Sequence, residues 1–189
     1  MPASVRLAQN HSKSVKLRAF LPQVFHPRMN LISKSLSISR IALDMDITSK
    51  KRLFEQIGLM FENENRVARA SVFDALFARE KLGSTGLGFG VAIPHGRIRQ
   101  LRDTVAVFVR PKEGIPFESP DDEPVRLVYA MLVPEHATEQ HLHMLSELSQ
   151  MFSDADLRDA LLTAADPAVA YQLLTEWSPY AAIKRTAAV

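Results

Sequence analysis

The sequence predicts an α/β protein with a mixed central sheet flanked by helices, and three observations carry that expectation. Three apolar runs, Ile41–Ile47, Thr104–Val109 and Val125–Val133, have the length and content of strands. Segments with apolar residues at helical spacing lie between and after them, so helices are available to cover a sheet. With 47% hydrophobic residues over 189 positions, the chain can bury the core of one domain.

The elements follow in order. Residues 1–28 show no periodicity and are interrupted by Pro2, Pro22 and Pro27. They read as a disordered basic leader, or as a non-native start with Met29 the true initiator. The folded domain is expected over 29–177, with a loose tail over 178–189. Ile41–Ile47 alternates as a strand, and Thr48 or Ser49 can cap a helix running to about Phe61, because Leu53, Ile57, Met60 and Phe61 share one face. Ser71 with Asp74 three residues on has the spacing of a capping box. The helix it announces would bury Val72, Phe73, Leu76 and Phe77, and Arg79 would sit in its last turn. Val91–Ile93 has strand character, and a proline-rich acidic loop over 113–124 separates the two later strands, the second ended by Pro134. A helix from about Thr138 to Phe152 places His141, Leu145, Leu148 and Phe152 on one inward stripe. His143 falls with Glu139, Glu147 and Gln150 on the solvated side. Ser153 with Asp156 caps the next helix, and Asp166-Pro167 puts an acceptor at the N-cap and proline at the first position of the last.

Composition excludes several classes of function. There is no cysteine, so disulfides and thiolate metal sites are ruled out, and a reducing cytoplasm suits the chain. The longest apolar run, Leu127–Val133, is far short of the ~20 residues of a membrane helix, so a soluble protein without membrane insertion is expected. Ala19-Phe-Leu21 is too short for the apolar centre of a secretory signal. The formal charge of +2 is uneven: Arg6, Lys13, Lys16, Arg18 and Arg28 precede the first acid, Asp44. The body is mildly acidic, which argues against a nucleic-acid partner.

Function concentrates in Gly83–Gly96, which holds five of the seven glycines. Residues without a Cβ bring the backbone close to a ligand and turn N–H groups toward an anion. The run closes in Pro94, His95 and Gly96, so a rigid strand end presents one imidazole among small neighbours. A hydrogen-bonded structural histidine beside ordinary turns is the plainer reading of the same residues. Two nucleotide readings fail, since Gly86-x-Gly88-x-Gly90 is neither G-x-G-x-x-G nor a P-loop.

The string Arg79-Glu-Lys-Leu-Gly-Ser-Thr-Gly-Leu-Gly-Phe-Gly-Val-Ala-Ile-Pro-His95-Gly-Arg resembles the active-site signature of phosphotransferase system enzyme IIA domains of the fructose/mannitol type. Within that group it is most similar to the nitrogen-regulatory IIA protein, over roughly Met29 to Trp177. The resemblance implies the mannitol/fructose-type IIA fold and a histidine, His95, phosphorylated by an HPr-like phosphocarrier, with regulatory target proteins as further partners. It matches Arg79 to the family's phosphate-contacting arginine and His141 to the histidine beside the phosphorylated one. Ser84, Thr85 and the backbone at Gly96 are candidate phosphate donors, and no metal or cofactor is demanded. A core histidine remains the plain alternative for His141. Three other functions stay open: a fructose- or mannitol-type IIA serving a IIB transporter component; a metal-dependent hydrolase on His95, His141 and Glu118 or Asp121; and an anion-sensing module.

Overall fold

A computed structural model describes residues 31–179 except 100, 137 and 138. The expected leader, Met29, the helix start at Thr138 and the tail beyond residue 179 lie outside the described residues. The order is α1 (Leu31–Ser35), a short 3-10 turn (Ile38–Arg40), β1 (Ile41–Met45), α2 (Lys50–Asn65), α3 (Arg69–Glu80), β2 (Gly86–Gly88), β3 (Val91–Ala92), β4 (His95–Ile98), β5 (Val105–Pro111), β6 (Leu127–Pro134), α4 (Glu139–Ser153), α5 (Ala155–Thr163) and α6 (Pro167–Glu176).

The six strands form one mixed sheet in the order β1-β5-β6-β3-β2, with β4 also on β6. β5 and β6 are buried on both faces, which is why they read as unbroken apolar runs instead of alternating. Ala106, Phe108, Leu127, Tyr129, Met131 and Val133 point to one side, where α1, α4, α5 and α6 supply Ile32, Leu148, Leu161 and Leu174. Val107, Val109, Val128, Ala130 and Leu132 point to the other, where α2 and α3 supply Phe54, Ile57, Phe61, Val72 and Leu76. The result is three layers, helix on sheet on helix.

β3 and β4 behave as one strand with a notch. Val91 and Ala92 pair with Leu127 and Val128, and His95 to Ile98 pair with Met131 to Pro134, so the register is the same on both sides. Pro94 stands in the gap; it has no N–H for the ladder, but its carbonyl accepts from Met131 N at 2.9 Å. Period-two alternation then sends Gly96 and Ile98 toward α3 and His95 and Arg97 the opposite way.

Several boundaries differ from expectation for local reasons. α3 begins at Arg69 rather than after a cap at Ser71, because Glu62 at the end of α2 accepts from Arg69 N at 3.2 Å and does the work of a cap. Asp74 is therefore a mid-helix exposed residue, and Phe77 is 37% exposed, stacked on Phe73. α2 continues to Asn65, ended by Arg66 in the left-handed region. Asp154, not Ser153, caps α5, accepting from Asp156 N and Leu157 N, while Ser153 bonds back to Ser149 O within α4. Ser49 and Asp166 cap α2 and α6 as expected, with Pro167 at the first helical position. β2 and β4 were not anticipated, since glycines, a histidine and an arginine hide their strand character.

Candidate phosphoryl-transfer site

His95 opens β4 at the edge of the sheet, on the side covered by α4, and its ring is half-buried. Its Nδ1 lies 2.9 Å from Ile93 O and its Nε2 lies 3.1 Å from Arg79 Nε. The two contacts agree on one tautomer. A carbonyl only accepts, so Nδ1 carries the proton; a guanidinium only donates, so Nε2 presents its lone pair. Arg79 reaches that lone pair from the last turn of α3, and its Nη1 also donates to Gly83 O at 2.9 Å. A cation in the last turn of a helix suits the dipole as well.

α4 brings the second histidine. His141 is 8% exposed, and its ring centroid lies 5.1 Å from that of His95 with the planes tilted by 56°. The inward stripe of α4 is His141, Met144, Leu148, Met151 and Phe152, with Leu145 only partly covered, and His143 is exposed. His141 Nδ1 is buried without a hydrogen-bond partner. Burying a lone pair there costs less than burying an unsatisfied N–H, so the proton belongs on Nε2.

Both imidazoles are held neutral. Burial, partly opposed by the Ile93 hydrogen bond and assisted by Arg79, moves the His95 pKa below its ordinary value. For His141 burial, then the neighbouring His95, Arg97 and Arg79, push it from 6.5 to about 4. The linkage has a definite sign: as pH falls from 6.5 toward about 4 the unfolded chain takes up a proton that folded His141 refuses, so stability is lost in that window. We expect acidification across it to cost on the order of 3 kcal/mol through His141. His141→Asn should flatten the dependence of the urea midpoint on pH; parallel curves for the two proteins would contradict this.

Gly96 lets α3 approach β4. A Cβ added there would fall 2.8 Å from Ala75 Cβ and 2.9 Å from Ala75 C. Gly96→Ala should cost about 1–3 kcal/mol in denaturant unfolding and shift Arg79 relative to His95. An unchanged midpoint would contradict that close packing.

The structure thus brings together His95, Arg79 and His141, with Gly96 against α3. Ser84 and Thr85 have their hydroxyl hydrogens committed: Ser84 Oγ donates to Phe117 O at 2.8 Å and accepts from Gly86 N, and Thr85 Oγ1 donates to Glu80. Glu118 is paired with Lys50, and Asp121 accepts from Phe89 N at 2.6 Å. Among the described residues no three His, Cys, Asp or Glu side chains gather to hold a metal ion. Two charged residues near the histidines were not singled out from the sequence. Arg97 adds positive potential at both rings, and buried Glu80 underlies the glycine run. Their places inside the quoted string were the only available signal.

Comparison with known proteins identifies the family. The family described as "Phosphoenolpyruvate-dependent sugar phosphotransferase system, EIIA 2" matches residues 34–177. A nitrogen regulatory protein of Pseudomonas aeruginosa is 36% identical over 146 residues, covering 77% of this chain and 95% of the relative. The fructose-specific EIIA component of Haloferax volcanii is 34% identical over 146 residues, with 77% and 95% covered. The crystal structure of nitrogen regulatory protein IIA-Ntr from Neisseria meningitidis superposes with a TM-score of 0.74 at 48% identity, covering 77% of this chain and 99% of that one. No described helix is long and apolar enough to cross a membrane. On these grounds the chain belongs to the EIIA 2 family of the phosphoenolpyruvate-dependent sugar phosphotransferase system.

Proposed function

We propose that the protein accepts a phosphoryl group on His95 Nε2 from an HPr-like phosphocarrier in the cytoplasm, and that its phosphorylation state regulates partner proteins. The observation that carries this is the setting of the His95 ring, with Nδ1 held by Ile93 O at 2.9 Å and Nε2 facing the Arg79 guanidinium at 3.1 Å. In the transfer that lone pair attacks phosphorus, a P–N bond to His95 forms, and the P–N bond to the carrier's histidine breaks, its electron pair returning to that ring. Arg79 exchanges Nε2 for the phosphoryl oxygens, and His141 donates Nε2–H to one of them. The positive character gained by the His95 ring is stabilised through Nδ1–H by the Ile93 carbonyl. Gly96 and backbone N–H groups at the glycine run are the remaining candidate contacts; Ser84 and Thr85 could join them only by giving up Phe117 O and Glu80.

A regulatory role is favoured over sugar uptake by the nitrogen regulatory relatives in Pseudomonas and Neisseria. The Haloferax relative supports the second reading, a fructose-type IIA that hands phosphate to a IIB component. Incubation with phosphoenolpyruvate, enzyme I and HPr should produce an acid-labile, base-stable phosphate on the protein; its absence overturns the proposal. Addition of a fructose-type IIB then separates the two readings. Rapid loss of label to IIB favours transport, and retention favours regulation.

A further inference from the structure

The last residue of α3, Glu80, is 8% exposed, and a buried carboxylate is costly unless its lone pairs are satisfied. They are. Oε1 accepts from Lys50 Nζ at 2.8 Å, and Oε2 accepts from both Thr85 N, at 3.0 Å, and Thr85 Oγ1. The path continues into the site. Thr85 O accepts from Ile93 N at 3.0 Å, and Ile93 O accepts the Nδ1 proton of His95. On the other side, Glu80 follows Arg79 directly, and Glu80 O accepts from Gly83 N at 3.1 Å while Arg79 holds Gly83 O. Thus one carboxylate ties the start of the glycine run to the helix end that carries Arg79 and to the carbonyl that orients His95. Lys50 is itself gripped from outside by Glu118, at 3.0 Å, a residue whose φ of 56° places it in the left-handed region.

We propose that Glu80, clamped by Lys50, is the positioning residue of this site: through Thr85 and Ile93 it selects the Nδ1–H tautomer of His95 and the distance between His95 and Arg79. The catalytic significance rests on His95 being the phosphoryl acceptor, but the orientation itself can be read without any transfer. Charge is indispensable to the clamp. A glutamine at position 80 would turn an NH2 group toward either the Lys50 ammonium or the Thr85 donors, so both sides could not be satisfied.

The test uses the full-length chain with 15N-labelled histidine. Long-range proton–nitrogen spectra of wild type should show a protonated Nδ1 and a bare Nε2 on His95, titrating below the ordinary value. In Glu80→Gln the two ring nitrogens should move toward tautomer averaging, and the pKa should rise toward 6.5 as the ring loosens into water. Phosphoryl transfer should slow by about 10- to 10²-fold with little change in the KM for the carrier. A carboxylate acting only by its charge predicts the opposite pKa change, because its removal disfavours imidazolium. Unchanged ring nitrogens with an unchanged or lowered pKa overturn the proposal. Should Glu80→Gln fail to fold, Thr85→Val removes one donor at constant shape and is judged by the same spectra. Wild type that is never phosphorylated would sink the acceptor reading, yet these spectra would still decide what holds the ring.

Discussion

His95→Ala is expected to stay unlabelled by phosphoenolpyruvate, enzyme I and HPr, whereas Arg79→Ala and His141→Ala are expected to be labelled about 10²- to 10³-fold more slowly. The difference follows from what each group contributes. On the proposed reading alanine at 95 removes the acceptor atom, and among the described residues the neighbouring imidazole, His141, has its Nδ1 buried and so does not replace it. In the proposed transfer Arg79 and His141 would stabilise charge that the nucleophile can still generate without them, so the rate should fall without vanishing. All three variants should remain folded, because none of these polar side chains belongs to the two apolar clusters that hold the layers together, and only His141 is buried. Label on His95→Ala at the wild-type rate would require another acceptor residue. Wild-type rates for both of the other variants would make them structural neighbours only.

Arg110→Met should lower stability by roughly 3 kcal/mol or more, the largest loss expected from any single polar side chain described. Arg110 is 6% exposed on β5 and works as a C-cap supplied from the sheet. Its Nη1 donates to Leu161 O, Leu162 O and Ala164 O at 2.9, 3.1 and 2.9 Å, gathering carbonyls at the end of α5 that lack helical partners. Nε and Nη2 grip Asp44, at 3.0 and 2.8 Å, in a fork. Methionine matches much of the volume, but leaves buried acceptors unpaired. Asp44→Asn should cost far less, because that carboxylate is largely in water and its pair is screened. Urea unfolding of both variants checks the asymmetry; equal losses would mean that the ion pair, and not the helix end, is what Arg110 serves.

Much of this was legible in the chain. Central strands betray themselves by uninterrupted apolar content, and α4 by a stripe that separates His141 from His143 without reference to any relative. Asp166-Pro167 names its helix start outright. What stayed hidden depends on distant partners. α3 is capped by a glutamate from α2, so local spacing pointed three residues too late. β4 owes its pairing to Met131–Pro134, not to its own residues, which is why a histidine, a glycine and an arginine could pass for a loop. Glu80 lay inside the recognised string, yet nothing in its spacing announces that Lys50 and Thr85 converge on it.

The shared register of β3 and β4 makes the direction of the His95 ring a matter of counting. Side chains change face at every step, so inserting or deleting one residue between Ala92 and His95 would swing the imidazole to the α3 side and bring its neighbour round in its place. This short stretch is therefore far less free to change in length than in composition: a substitution there perturbs a contact, whereas a deletion exchanges His95 for glycine and an insertion before Pro94 exchanges it for proline.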